Sequence, residues 1–284
     1  FSLLRYDPRP WTVADSVLIA LQMMRTMDRS WRSELRKEAL LAGGDAAKVN
    51  QLFPQGESRP GSNAWALAGA LTASRRPLLA GDPHLPFSLP SAWYMVHLRA
   101  PQLNVSGVSL PGLAGVLIGH NDRIAWSITS LPFDVQDLYV ERFDPSTGSY
   151  AYRGRFEQAR AEREVIRVRD GASENMVNWV TRHGPVFLNE QGRFLSLRWI
   201  AADNDAFQLP LLELNRARNW EEFRKAVSRF PGPSVNFVYA DVAGNIGYQA
   251  AGRLPIRKTY DGSVPVYGSS GNFEWEGTIP FDQL

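Results

Sequence analysis

Apolar positions recur at helical spacing near the start of the chain and again around residues 209–230. Elsewhere they come in short runs. Val17, Leu21 and Met24 fall at i, i+4 and i+7, which predicts an amphipathic helix over Val13–Met27. Thr12 offers a hydroxyl N-cap and Asp15 an acid three residues on, the pattern of a capping box. Before it, Tyr6-Asp7-Pro8-Arg9-Pro10-Trp11 reads as extended, because each proline pushes the residue before it out of the helical region. A second helix is predicted over 30–41, with Trp31, Leu35 and Ala39 on one side and Gly43-Gly44 as its stop. A helical turn at 46–53 follows. Residues 54–61 carry no apolar residue and no period, the composition of an exposed linker.

Beyond the linker, runs at 64–68, 93–98, 103–110, 115–118 and 124–129 are separated by Gly, Pro, Asn and Asp and read as strands, several too apolar to have a solvated face. Further strands are predicted at 138–143, 165–169, 177–181 and 194–199. Helices follow at 209–215 and 220–230, then a hairpin from 235–239 and 246–249. Stacked sheets with helices outside them is the architecture this order implies. The chain shows no internal repeat, heptad or low-complexity tract.

Composition narrows the chemistry. Lys plus Arg is 31 and Asp plus Glu 29, so charge gives no argument for nucleic acid or an anionic membrane as partner. With 44% hydrophobic and 21% charged residues the chain is ordinary for a globular protein and long enough to bury a core. Cysteine is absent, which excludes disulfides, thiolate zinc sites and cysteine nucleophiles. No run approaches the roughly 18 apolar residues of a membrane span. Phe1 to Asp7 lacks the features of a signal peptide and there is no initiator Met, so the sequence reads as a piece of a longer chain.

Phosphate-binding glycine loops, dinucleotide fingerprints, HExxH and the nucleophile elbow are all missing. The four histidines, at 84, 97, 120 and 183, are too scattered for metal-ligand spacing. Arg153 to Arg169 is a basic stripe with interleaved Glu157, Glu162 and Glu164, read as a solvated strand face. Asn104-Val105-Ser106 matches a glycosylation acceptor but sits in an apolar strand and is read as chance. His120-Asn121-Asp122 is read as a tight turn between buried strands, and His97 and His183 as structural. One junction draws attention. Ser62 stands between polar linker and apolar strand, where it is either a turn residue or a serine whose own α-amine, once freed by cleavage of the preceding bond, is the base.

Longer motifs bear on that choice. Ser62-Asn63-Ala64-Trp65, Leu79-Ala80-Gly81-Asp82-Pro83-His84-Leu85, Pro111-Gly112-Leu113-Ala114-Gly115, Gly119-His120-Asn121-Asp122-Arg123-Ile124-Ala125-Trp126 and Asp134-Val135-Gln136-Asp137-Leu138-Tyr139 occur in that order. So do Asn236-Phe237-Val238-Tyr239-Ala240-Asp241, Gly244-Asn245-Ile246-Gly247-Tyr248 and Gly252-Arg253-Leu254-Pro255-Ile256-Arg257. Together they resemble the penicillin amidase family of N-terminal-nucleophile hydrolases over essentially the whole chain.

The resemblance implies an α+β fold, a four-layer α-β-β-α sandwich. It implies a precursor cut between Gly61 and Ser62, so that 1–61 is the end of a small chain with its linker and 62–284 the start of a large one. Ser62 would be nucleophile and, through its α-amine, base. Asn236 and the amide of Ser130 would form the oxyanion hole, with Arg257 holding the asparagine. His84 falls where several members carry a histidine near the nucleophile's amine; the plain alternative is a structural loop histidine. Asp134, Gln136 and Asp137 match a structural calcium loop, two carboxylates and a main-chain carbonyl, which members complete with an acid from the small chain. No organic cofactor is implied. Phe87, Trp93, Leu131 and Phe133 are candidate liners of an acyl pocket. The implied activity is hydrolysis of an N-acylated small molecule, in a family whose substrates run from β-lactam antibiotics to acyl homoserine lactones. The implied partner is the rest of the precursor, as a heterodimer, and the implied compartment is periplasmic or secreted. A protein of this fold that never matures, acting as a binding or scaffold module, is the alternative; Ser62, Asn236 and Arg257 occurring together count against it.

Overall fold

The computed structural model describes residues 7–53, 61–85, 87–190, 192–203, 208 and 210–284. Tyr6, the linker positions 54–60 and Leu209 lie outside them. The chain divides into two compact units, one drawn from Phe1–Met27, Ser58–Leu131 and Gln208–Gly252, the other from Asp28–Glu57, Pro132–Phe207 and Arg253–Leu284. Helices and antiparallel sheets occur in both, an α+β composition. Among the described residues no helix is long and apolar enough to cross a membrane.

The first unit opens with the helix Val13–Met27. Its start shows half of the capping pattern, the Asp15 carboxylate accepting from the Thr12 backbone N–H at 2.7 Å, while the Thr12 hydroxyl donates to the same carboxylate at 2.8 Å and Asp15 N–H bonds the Thr12 carbonyl at 3.0 Å. Met24 and Ala20 are its buried residues, and Val17 and Leu21 are half-buried. The unit's six-stranded antiparallel sheet runs in the order Ile246–Ala251, Val235–Asp241, Ile124–Ser130, Ile118–Asn121, Leu103–Ser109, Tyr94–Ala100. Alternation puts Ile124, Trp126, Phe237 and Tyr239 in the core. The helix Trp220–Val227 lays Trp220 and Phe223 against Tyr239, with ring centroids 5.0 Å away in both cases.

Three sequence expectations shift here. Residues 115–118 do not form a strand: the strand starts at Ile118, and the buried Val116 finds its hydrogen bonds in the Asn215 side chain. Asn215 Oδ1 accepts from Val116 N and Asn215 Nδ2 donates to Val116 O, both at 2.7 Å, so one amide replaces a neighbouring strand. The helix expected to reach residue 230 ends at Val227, just ahead of Pro231 and Pro233. The turn expected at His120-Asn121-Asp122 falls at Asp122-Arg123, since His120 and Asn121 end the strand Ile118–Asn121; Asn121 Oδ1 accepts from Arg123 N at 2.8 Å and Ile124 N at 2.9 Å across it.

A hairpin of Asn63–Leu67 and Leu78–Asp82 packs against the strands Ile124–Ser130 and Val235–Asp241. Gly81 allows that approach. A β-carbon there would sit 2.7 Å from Cβ of the buried Ser127 and would collide with its Oγ.

The second unit carries the helices Ser30–Gly43 and Ala46–Leu52 and a six-stranded sheet in the order Arg160–Ile166, Glu174–Thr181, Gly184–Glu190, Arg193–Trp199, Gln136–Glu141, Val266–Tyr267. Only the last pair is parallel. The basic stripe from Arg153 to Arg169 runs through the strand Arg155–Gln158 and the exposed edge strand Arg160–Ile166, in keeping with the solvated reading. The predicted apolar face of the helix over 30–41 is corrected: Ala39 is exposed, and the buried residue is Glu34.

His183, structural as expected, has a charged setting that the sequence did not reveal. It is buried, stacked on Tyr139 at 4.0 Å, with Nδ1 2.8 Å from Glu141 Oε1 and Nε2 3.3 Å from Glu274 Oε1. Burial alone would push the imidazole pKa down, but the hydrogen bonds and charges of Glu141 and Glu274 outweigh it and hold the value above normal. A raised folded pKa stabilises fully below the unfolded value of about 6.5, and that contribution is lost as pH climbs through the folded value. The Tm advantage of wild type over His183→Gln should therefore shrink as pH rises above about 6.5; an advantage that grows with pH would mean the ring is buried neutral.

Candidate active site

Ser62 directly precedes the strand Asn63–Leu67 and is half-buried. Because Asn63 pairs with Asp82, the chain returning past Pro83 brings the His84 backbone to the serine: His84 N–H donates to Ser62 Oγ at 3.0 Å. The imidazole is engaged elsewhere. Its Nε2 lies 2.8 Å from Asp82 Oδ2, the two side chains being 47% and 66% exposed, a solvated pair of little consequence for stability. The expected contact from His84 to the nucleophile thus exists, but through the main chain and to the hydroxyl. In the uncut chain the Ser62 nitrogen is a peptide nitrogen with no basic lone pair, so a base at this position requires the Gly61–Ser62 bond to break.

Asn236 and Ser130 sit on neighbouring strands in the same unit. The register pairs Asn236 with Thr129 and Val235 with Ser130. Leu131 N donates to Ser234 O at 3.0 Å, so Leu131 and Ser234 form a hydrogen-bonded pair, and alternation makes Val235 and Ser130 a non-bonded one. The Ser130 N–H therefore points away from the strand Val235–Asp241. On its other side the next strand, Ile118–Asn121, is paired at Trp126 and Ala125. Asn236 holds a defined orientation: Nδ2 donates to Thr129 Oγ1 at 3.0 Å and to Ser130 O at 3.2 Å, while Oδ1 accepts from the Tyr248 hydroxyl at 2.7 Å. Tyr248 ends the motif Gly244-Asn245-Ile246-Gly247-Tyr248 and Thr129 directly precedes Ser130, but sequence reading gave neither a role. The signal that could have found Tyr248 is the predicted hairpin itself, which sets it two residues along from the position opposite Asn236.

Arg257 differs from expectation. In the second unit its Nε donates to Asp137 at 2.9 and 3.0 Å, and its Nη2 to Asp137 Oδ1 at 2.8 Å and the Asp134 carbonyl at 3.0 Å, with Asp134 Oδ2 also 3.0 Å away. The guanidinium organises buried acids, whereas the orientation of Asn236 comes from Tyr248, Thr129 and Ser130. Asp137 also accepts from Tyr260 Oη at 2.7 Å and from the Trp275 indole. Burial pushes the Asp134 pKa up to about 7 against the pull of Arg257, and burial with the nearby acids lifts Glu34 well above the usual carboxylate range.

These residues bear on a hard cation. Glu34 Oε2 accepts from Leu138 N at 3.0 Å, but Glu34 Oε1, Asp134 Oδ1 and Gln136 Oε1 are buried with no partner among the described residues. The Gln136 carbonyl accepts from Ser30 Oγ at 3.4 Å. Oxygen donors of this kind suit calcium, and Glu34 is an acid from the small-chain side that the sequence expectation left unnamed. Among the described residues, however, no three acidic or histidine side chains converge closely enough to hold a metal ion as they stand.

The candidate acyl-pocket residues differ in exposure. Phe87 is fully exposed, Trp93 is half-buried with its indole N–H lacking a partner among the described residues, Leu131 is half-buried, and Phe133 belongs to the other unit. An open cavity in the first unit lies by Arg123, Arg218, Trp220, Asp241 and Asn245. Asp241 is five residues along the strand from Asn236, about 17 Å at strand rise, which separates that cavity from the candidate site.

A family model for penicillin amidase matches residues 1–284. The penicillin acylase 2 proenzyme of Pseudomonas sp. (strain SE83) is 35% identical over 246 residues, covering 85% of this chain and 31% of that protein. An acyl-homoserine lactone acylase QuiP, from Pseudomonas fluorescens (strain Pf0-1), is 34% identical over 235 residues, 78% of this chain and 29% of the relative. The chain thus spans about three tenths of the length of these curated relatives. Among solved structures, thermostable penicillin G acylase from Alcaligenes faecalis matches with a TM-score of 0.71 at 32% identity, covering 78% of this chain and 40% of that one. That likeness shows the α+β fold of the N-terminal-nucleophile hydrolases.

The His84 geometry yields a sharp expectation. Replacing the side chain leaves its backbone N–H in place, so His84→Ala should lower any Ser62-dependent turnover by less than about tenfold, short of the hundredfold or more that loss of a general acid or base costs. Steady-state kinetics check this, and a larger fall would return the imidazole to the chemistry.

Proposed function

This chain belongs to the penicillin amidase family, and on that footing we propose that it carries the nucleophile and oxyanion donors of an acylase acting on an N-acylated small molecule. The observation that carries the reading is Ser62 at the start of its strand, its Oγ held by His84 N–H, on a hairpin packed against the two strands that bear Asn236 and Ser130.

Maturation comes first. Ser62 Oγ attacks the Gly61 carbonyl carbon; the C–N bond breaks as the C–O bond forms, and the nitrogen takes the proton and becomes a free amine. Water then hydrolyses the ester, leaving Ser62 at a new N-terminus. An α-amine titrates near 7.7–8.0, so at neutral pH it accepts the Oγ proton when Ser62 attacks a substrate acyl carbon. The oxyanion of that tetrahedral intermediate faces Asn236 Nδ2 and Ser130 N–H, each worth roughly 3–4 kcal/mol in sites of this type. Collapse expels the substrate amine with the proton, and water releases the acid from the acyl-serine. The relatives named for penicillin and for acyl homoserine lactones bracket the substrate class, an amide with an aromatic or fatty acyl group. The working enzyme is a heterodimer of the two cut chains, in the periplasm or outside the cell.

A structural calcium accompanies this reading. Glu34, Asp134, Asp137 and the Gln136 carbonyl would have to close from their present separation to hold it, and it would supply positive charge to buried carboxylates that Arg257 alone leaves under-neutralised. Calcium titration followed by thermal unfolding should raise Tm in the wild type and raise it less in Glu34→Gln; equal shifts would remove Glu34 from the donor set.

The decisive test of the activity is intact mass and N-terminal sequencing of the full-length protein. A large chain beginning Ser-Asn-Ala-Trp is expected in the wild type, and an uncut, inactive precursor in Ser62→Ala. Cleavage before Ser62 in that variant would sink the mechanism, and a wild type that folds but stays whole would make the protein a scaffold of the same fold.

A further inference from the structure

We infer that Tyr248 is a positioning residue: its hydroxyl anchors the Asn236 carboxamide at Oδ1 while Nδ2 turns towards the reacting acyl group. The inference rests on the acylase reading above.

Strand pairing sets Val238 opposite Tyr248 and Asn236 opposite Ala250, so Asn236 and Tyr248 are diagonal neighbours on one face of the hairpin. The Tyr248 hydroxyl reaches Asn236 Oδ1 at 2.7 Å. A carboxamide has two orientations of nearly equal shape, with donor and acceptor exchanged. Neither the Thr129 nor the Tyr248 hydroxyl selects between them, since each both donates and accepts. The Ser130 carbonyl does, because it only accepts, and it faces Nδ2 at 3.2 Å. That contact is also the longer of the two made by Nδ2, the other being 3.0 Å to Thr129 Oγ1.

Both Nδ2 hydrogens are engaged in this state, so turning one towards an oxyanion requires a bond to be exchanged. Giving up the Ser130 contact removes the group that selects the orientation. Tyr248 remains, and its bond to Oδ1 holds the amide while Nδ2 turns to the developing charge. Because the Tyr248 side chain is more than half exposed, at 58%, losing its hydroxyl costs little packing.

The test uses the full-length protein with phenylacetyl and fatty-acyl p-nitroanilides as probes. Tyr248→Phe should lower kcat by about tenfold, leave KM within about twofold, and leave Tm unchanged. In an Asn236→Ala background the same change should have no further effect, because the residue it orients is gone. Wild-type kcat in Tyr248→Phe, or an undiminished drop in the double variant, overturns the assignment while the acylase reading stands. Hydrolysis by the parent that survives Ser62→Ala overturns the reading itself, and the assignment with it.

Discussion

The register between Val235–Asp241 and Ile124–Ser130 is the constraint on which the candidate site depends. A slip of one residue would send every side chain to the opposite face. The core forbids it, because Trp126, Phe237 and Tyr239 are wholly buried and would have to trade places with the polar Asn236 and Thr129. Hydrophobic burial of a few aromatic rings therefore determines, at atomic scale, where a carboxamide and a main-chain N–H stand relative to each other. The same sheet receives the hairpin that starts at Ser62, so nucleophile and donors are referred to one rigid element.

The second unit is held by a different balance. Its interior contains Glu34, Asp137, Glu141 and His183, groups that pay heavily for leaving water unless they find partners. Arg257 answers two of the acids near it, and Glu141 is answered by His183 and Thr181. What is left over among the described residues, four buried oxygens without donors (Glu34 Oε1, Asp134 Oδ1, Gln136 Oε1 and Glu141 Oε2), marks where this unit is electrostatically incomplete.

The sequence made much of this legible, for uneven reasons. Helices and strands followed from periodicity wherever burial is one-sided, as at Val13–Met27 and Val235–Asp241. The reading failed at 115–118, where an apolar run is buried without being a strand because one asparagine supplies its hydrogen bonds. It failed at Glu34, since a buried acid on a helix looks like any exposed one until its surroundings are known. Ser62, Asn236 and Ser130 were found through resemblance, and spacing alone would have left Ser62 a turn residue. The hydrogen bonds of Arg257 and of the His84 ring were not legible, because they depend on side-chain directions that no linear motif encodes.

Gly81 shows how far such a site extends beyond its chemistry. It contributes no atom to any proposed step, yet the hairpin bearing Ser62 can lie on the sheet only because nothing projects from this position towards Ser127. In a mutational scan scored by activity it would be indistinguishable from a catalytic residue. The boundary of a functional site drawn by intolerance to change is thus wider than the one drawn by contact with substrate, and here the difference is the volume of a single methyl group.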